Sequence, residues 1–149
     1  MFSGQTEENI VNVLGESLQD TAFLFSDPVY DEEVPEFTSW DATAVKLSFK
    51  GDNSGTFYLV ADYQILRLLA ENLLGIETDS EDAIPSGVKA LKEILNIFLG
   101  NFLTREFGVQ KIYDLGIPEE LESIKSLDDK VKIWMDIEGF LLCIIPVIE

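Results

Sequence analysis

Glu93 and Asn96 are the two residues whose types and spacing could do chemistry together. They are three positions apart in residues 85–107, the longest stretch of the chain with the spacing of one helix. At about 100° per residue, a carboxylate and a carboxamide at this spacing point to the same side of a helix. Gly100 lies roughly 20° from Glu93 on that side and leaves the helix surface open. The same polar face is completed by Lys89, Ala90 and Thr104.

The simplest interpretation of this polar face is a solvated helix surface, and two residues argue against it. Asn96 is a poor choice inside a helix, because its side chain competes for backbone hydrogen bonds. Ile97 places an apolar side chain on the outward stripe beside Gly100, which suits a docking surface better than contact with water. The face therefore favours contact with another molecule.

The composition limits the chemistry that the chain can perform. It has no histidine and one cysteine, Cys143, which lies in the apolar run 140–148. This removes Ser-His and Cys-His nucleophile pairs, an internal disulfide and thiol metal clusters, so we expect no metal site. The formal net charge of −18 argues against binding nucleic acid or an anionic membrane.

Length and apolar content predict one domain over residues 1–149, with a core of its own. The apolar run 140–148 is too short to span a bilayer, and no basic amino-terminal region precedes an apolar run. We therefore expect a cytoplasmic protein without membrane insertion.

The first half of the sequence predicts a helix followed by antiparallel strands. Residues 5–20 have helical spacing with Thr6 as the N-cap, and residues 22–25 predict a short strand. Residues 43–50 alternate apolar and polar side chains and predict a hairpin with residues 56–60. A shorter helix follows the hairpin.

The second half repeats this order. The helix over residues 85–107 presents one broad apolar stripe to the core. A short strand around Ile112 and an alternating strand from Val131 follow, and residues 140–148 predict a central strand buried on both faces. The stripe residues of the helix are Val88, Leu91, Leu95, Phe98, Leu99 and Phe102.

Residues 28–41 contain two prolines and five acids, a composition typical of a solvated loop. The alternative is a loop that binds a partner, because Tyr30, Phe37 and Trp40 are costly to leave exposed.

The two long helices also resemble each other. A shift of 77 positions aligns Glu16 with Glu93 and Gln19 with Asn96, so both helices have a Glu-x-x-amide step opposite the core stripe. Each helix is followed by a hairpin whose first strand begins VKL or VKI. We therefore predict an α+β fold of two pseudo-symmetric helix-plus-antiparallel-strand halves that share one sheet, with the long helices packed on it.

The segments AENLLG and ALKEILNIFLGNFLTREFG resemble the CheC/CheX/FliY family of chemotaxis phosphatases, most strongly over residues 69–107. The signature of that family is Glu-x-x-Asn on a helix, followed by a glycine and later a proline. The step EILN, the following Gly100-Asn101 and Pro118 are similar to it. The resemblance implies Glu93 and Asn96 as catalytic residues. It implies a partner-binding surface of Lys89, Ile97, Gly100 and Asn101.

The resemblance implies a phosphatase that forms no covalent intermediate. Its substrate would be the aspartyl phosphate of a CheY-like response-regulator receiver domain, which brings its own Mg²⁺, so the chain would need no cofactor of its own. Asn96 would hold water in line with phosphorus, and Glu93 would pair with the active-site lysine of the receiver. A loose phosphoryl-transfer transition state needs such orientation more than it needs proton removal.

Two positions depart from the family pattern. Lys89 stands one turn before Glu93, where the family often has a small acidic or hydroxyl residue, and it is within reach of Glu93 along the helix. Gln19 replaces the second Asn, and its extra methylene would move the amide by more than about 1 Å. We therefore expect Glu16 and Gln19 to form a degenerate second site.

Other functions stay open. The first alternative is a non-catalytic module that binds a receiver or another signalling partner through the same face. The second is a structural subunit that joins through its sheet edges, and the apolar carboxy-terminal strand makes a homodimer plausible. The acidic surface should repel a phosphorylated acidic pocket, an effect softened by the helix cations Lys89, Lys92 and Arg105.

Overall fold

The computed structural model describes residues 3–27, 29 and 34–149 of the chain. Within these residues, the chain forms three α-helices and seven β-strands. The helices are α1 (Gly4–Ala22), α2 (Tyr63–Leu74) and α3 (Ala83–Phe107). The strands are β1 (Ser26–Asp27), β2 (Ala42–Lys50), β3 (Gly55–Asp62), β4 (Asp114–Leu115), β5 (Glu119–Glu120), β6 (Ile133–Ile137) and β7 (Phe140–Ile148).

The seven strands form one antiparallel sheet with the order β1-β6-β7-β3-β2-β4, in which β5 also pairs with β2. The hairpins β2-β3 and β6-β7 meet at the centre, where β3 pairs with β7. The short strand after each long helix pairs with the hairpin of the other half, β1 with β6 and β4 with β2. This arrangement confirms the predicted α+β fold of two related halves that share a sheet.

The helices cover one face of the sheet. The six residues predicted as the apolar stripe of α3 are all buried. The rings of Phe98 and Phe102 lie 5.4 and 5.2 Å from that of Phe57 in β3, measured between ring centroids. Burying an aromatic side chain fully contributes about 1.5–3 kcal/mol. Ala90 is also buried, so its assignment to the polar face was wrong.

Helix α2 crosses α3 at Gly87. A Cβ atom built on this glycine would lie 2.2 Å from the carbonyl oxygen of Leu66 in α2. The two backbones therefore approach more closely than any side chain at position 87 would permit. This contact fixes the start of α3 against α2.

The opposite face of the sheet is covered by residues 34–41 and by the segment before β6. Phe37 is buried, and Trp40 packs 5.0 Å from Trp134, measured between ring centroids. Residues 28–41 were interpreted as a solvated loop or as a partner-binding loop. Neither interpretation describes Phe37 and Trp40, because these aromatic residues belong to a second hydrophobic core on this face of the sheet. Tyr30 lies outside the described residues.

Two predicted boundaries near α1 were wrong. The N-cap is Ser3, whose hydroxyl accepts a hydrogen bond from the backbone N–H of Thr6 at 3.1 Å, so Thr6 lies inside the helix. The predicted strand 22–25 contains the helix end instead, because Phe23 takes a left-handed conformation (φ 58°) and closes α1. The strand in this region is β1, over residues 26–27.

Two predicted strand positions in the second half also shifted. Ile112 is 86% exposed, and β4 begins at Asp114 rather than around Ile112. Val131 precedes β6, which begins at Ile133. In both places the apolar residue lies in a connection, which periodicity in a short window cannot distinguish from a strand.

Cys143 lies in β7, inside the second core, and its burial raises the pKa of the thiol to about 12 from the usual 9.0. We expect the native protein to react with a thiol reagent at pH 8 at least about 100-fold more slowly than the urea-unfolded protein, because the thiolate is the reactive form. Between pH 9 and pH 12 the thiol ionises only in the unfolded chain. The free energy of unfolding should therefore fall as the pH rises from 9 towards 12. Rapid labelling of the native protein would contradict this.

Candidate active site on helix α3

Helix α3 holds Glu93 and Asn96 on its outward side, and both side chains are exposed. Within the described residues, the side-chain hydrogen bonds and ion pairs of α3 involve Thr104, Arg105 and Glu106 instead. The carboxylate and the carboxamide are therefore available to groups outside the chain. The apolar stripe beneath them fixes the helix, so the two groups project from a rigid element.

Gly100 leaves an opening beside the pair. Apart from the adjoining backbone of α3 itself, no described atom lies within 4 Å of a Cβ built at this position. Glycine inside a helix is less stable than alanine by roughly 0.5–1 kcal/mol, and no close approach within the described chain offsets this difference. Ile97 is half-buried and Asn101 is exposed. This surface therefore combines an apolar side chain with an open backbone, which suits close contact with a second molecule.

Lys89 is exposed on the same helix, one turn before Glu93. Among the described residues the ion pairs within 4.0 Å are Lys46–Glu119, Arg105–Glu16 and Lys111–Asp52. Lys89 therefore does not neutralise Glu93 in this structure. The carboxylate can still accept a cation from another molecule.

The second candidate site on α1 differs from the first in one contact. Arg105 of α3 reaches across to Glu16, with 3.0 Å between its Nη2 and Oε2 and 3.4 Å from both Nη atoms to Oε1. Gln19 is exposed. The carboxylate that corresponds to Glu93 is thus already paired within the chain. Helical spacing alone could not reveal this pairing, because it joins two helices.

Glu106 is a further residue that the sequence analysis missed. Its carboxylate accepts hydrogen bonds from the Thr6 hydroxyl and, at 2.8 Å, from the Asn9 amide. A carboxylate near the first turn of α1 is also favoured by the helix dipole. These contacts tie the start of α1 to the end of α3 and fix how the two long helices lie together.

The site is an exposed helix surface rather than a pocket. In the part of the chain that the structure describes, surface cavities of about 430–470 Å³ are lined by residues other than Glu93 and Asn96. The described residues also contain no group of three or more His, Cys, Asp or Glu side chains placed to hold a metal ion. Among the described helices, none combines the length and the apolar character that a membrane span requires. A small molecule usually binds in a concave site. This surface suits a reacting group that a protein partner presents.

The sheet built from two related halves and the Glu-x-x-Asn step exposed on its long helix fit the expected CheC-like fold. The model of the family described as "Chemotaxis phosphatase CheX" matches residues 43–126, more than half of the chain. The chain therefore belongs to the CheX family. The matched region includes Glu93 and Asn96, whereas Glu16 and Gln19 precede it. A search of curated protein sequences found no match.

Several solved structures share this fold. The CheX chain of the CheX-CheY-BeF3-Mg²⁺ complex from Borrelia burgdorferi is 17% identical, with a TM-score of 0.68 and coverage of 97% of both chains. Chemotaxis protein CheX from Vibrio vulnificus is 13% identical, with a TM-score of 0.72 and coverage of 98% of this chain and 97% of the other. FliY from Thermotoga maritima is 16% identical, with a TM-score of 0.56 and coverage of 97% and 91%. At these identities the likeness shows the fold.

Proposed function

We propose that this protein accelerates hydrolysis of the aspartyl phosphate on a CheY-like receiver domain. The observation that carries the proposal is the exposed Glu93–Asn96 pair, on the long helix of a chain that belongs to the CheX family. A solved CheX structure of the same fold is a complex with CheY, which supports a receiver domain as the partner. The exposed helix surface fits a reacting group on a macromolecule.

In the proposed reaction, the amide oxygen of Asn96 accepts a hydrogen bond from the attacking water. The water oxygen bonds to phosphorus while the bond from phosphorus to the aspartyl oxygen breaks, and the aspartate leaves as a carboxylate. The protons of the water pass to phosphate and solvent. Positioning of this kind is the main requirement of phosphoryl transfer, in which the receiver's own Mg²⁺ would neutralise charge on the phosphoryl oxygens.

Glu93 is proposed to hold the receiver in register. Its carboxylate is exposed and has no cation within 4.0 Å among the described residues, so it can pair with the active-site lysine of the receiver. The surface of Lys89, Ile97, Gly100 and Asn101 would form the surrounding contact. The close contact would exclude water other than the one that Asn96 holds.

The test is the decay of a phosphorylated receiver domain, measured with and without this protein by loss of the acyl phosphate. Faster decay supports the proposal. Unchanged decay together with measurable binding would instead support a non-catalytic receiver-binding module, an alternative favoured by the exposed Lys89 beside Glu93. Unchanged decay without binding to any receiver of the same organism would overturn both.

Replacing Gly100 with alanine should affect stability and docking in opposite directions. The new methyl group meets no described atom of the chain, so the free energy of unfolding should rise by roughly 0.5–1 kcal/mol. A receiver that packs against the open helix should bind about tenfold more weakly. Urea unfolding and a binding titration with the same variant measure the two effects. Unchanged receiver affinity would remove Gly100 from the docking surface.

Placing an Asn in the second candidate site, on α1, should recover little activity. In an Asn96→Ala background, Gln19→Asn supplies an amide at the second site, but Glu16 is still paired with Arg105. An exposed ion pair contributes less than about 1 kcal/mol, so adding Arg105→Ala should raise the decay rate by about two- to fivefold over Gln19→Asn alone. Equal rates for the two variants would show that Arg105 does not restrict the second site.

A further inference from the structure

Phe23 violates two local preferences at the end of α1. Its φ of 58° is in the left-handed region, which favours glycine, and α2 ends in the same geometry with Gly75 at φ 66°. The side chain is nevertheless aromatic and 68% exposed. Neither the backbone conformation nor contact with water favours phenylalanine here. Such a violation is expected where a residue serves function rather than folding.

Phe25 is held outward beside it. Leu24, between the two aromatic residues, is buried in the core, and its backbone N–H donates to the carbonyl of Leu18 at 3.2 Å. Because Leu24 points inward, its two neighbours are directed to the surface, and Phe25 is 55% exposed. The exposure of both phenylalanines is therefore a consequence of the helix end itself.

Two more apolar side chains lie at this end of the molecule. Leu74 is 56% exposed at the end of α2, which is tied to α1 because the Asn72 amide donates to the carbonyl of Ala22 at 2.9 Å. Phe140 is 36% exposed at the start of β7, and it pairs with Ile137, which pairs in turn with Ser26 of β1. We call Phe23, Phe25, Leu74 and Phe140 the aromatic end. Large apolar residues exposed on adjoining segments commonly mark interaction sites.

The segments that carry the aromatic end are acidic. Residues 18–27, 68–75 and 136–142 contain five acids and neither lysine nor arginine. Arg67, directly before the second segment, donates through Nη1 to the carbonyl oxygen of Thr78 at 2.6 Å. The first basic residue of the whole chain is Lys46. Asp20, Asp27 and Glu138 are exposed next to the apolar side chains. An occupant of this surface must therefore bring positive charge together with apolar groups.

We propose that the aromatic end binds a basic amphipathic helix of a partner protein. A second copy of this chain would bring the same acids, and an anionic membrane or a nucleic acid would be repelled. A helix with apolar side chains on one face and lysine or arginine beside them matches both features of the surface. The site does not use Glu93 or Asn96, and the residues of the aromatic end other than Leu74 lie outside the region matched by the CheX family.

The experiment titrates the protein with an 18-residue peptide of leucine and lysine, designed as an amphipathic helix, at physiological salt. A scrambled peptide of the same composition is the control ligand. We expect the wild-type protein to bind the scrambled peptide at least about tenfold more weakly, because its apolar groups do not share a face. Equal binding of both peptides, or no binding of the amphipathic one, would overturn the proposal.

The variant Phe23→Gly separates binding from folding. It should weaken peptide binding by at least about tenfold while raising Tm by about 2 °C, because glycine relieves the left-handed backbone. Phe25→Ser should weaken binding similarly. Ile112→Ser, which changes an even more exposed apolar residue near β4 at the opposite edge of the sheet, should leave binding unchanged. Equal losses in Phe23→Gly and Ile112→Ser, or no loss in Phe23→Gly, would refute the assignment.

Discussion

Replacing Asn96 with alanine should slow the protein-stimulated decay of a phosphorylated receiver by at least about 100-fold. The side chain is exposed on a helix whose opposite face is buried, so truncation should change neither the fold nor the docking surface beside it. What is lost is the amide oxygen proposed to hold water in line with phosphorus. The measurement is the single-turnover decay rate at saturating protein, with receiver affinity measured separately.

Two further variants make this experiment specific. Asn96→Gln keeps the amide but moves it outward by a methylene, so it should also lose most of the activity, which distinguishes water positioning from a general need for polarity. Asn12→Ala removes an exposed Asn from α1 and should leave the rate unchanged. An Asn96→Ala protein with wild-type rates would refute the proposed role of this amide, whatever the receiver affinity.

Replacing Gly87 with alanine should lower the free energy of unfolding by about 2–4 kcal/mol. The added Cβ would lie 2.2 Å from the Leu66 carbonyl oxygen, 2.6 Å from its carbonyl carbon and 2.7 Å from its Cα. All three are backbone atoms, so no side-chain rotation can relieve the overlap. Helices α2 and α3 must separate, which also moves the start of the helix that carries Glu93.

Gly100→Ala is the matched control, because it adds the same methyl group to the same helix without an overlap. Equilibrium urea unfolding of the two variants should therefore give changes of opposite sign. If Gly87→Ala unfolds at the wild-type urea concentration, the close crossing of α2 and α3 is not a feature of the protein in solution.

Much of the fold follows from local sequence patterns. The apolar stripe of α3 and the alternation in β2 are signals within one element, so each could be read without knowing its neighbours. The same reasoning placed Glu93 and Asn96 on the side opposite the stripe, where both are exposed. Helical periodicity determines the face that a residue occupies once the buried face is known.

The single stretch 22–25 shows where such patterns fail. Its apolar residues predicted a strand, but only Leu24 and Ala22 are buried, and they are buried as the end of a helix and the turn after it. Periodicity cannot distinguish these cases in four residues, because both leave apolar side chains close together.

The tertiary structure alone decided which segments far apart in the chain are in contact. It placed β1 on β6 and β4 on β2, brought Arg105 to Glu16, and set Glu106 against the start of α1. The sequence by itself determined the two related halves and the outward pair on α3, since repeats and periodicity are properties of a linear order. Which side chains meet across elements depends on how helices and strands pack in three dimensions. No spacing along one element contains that information.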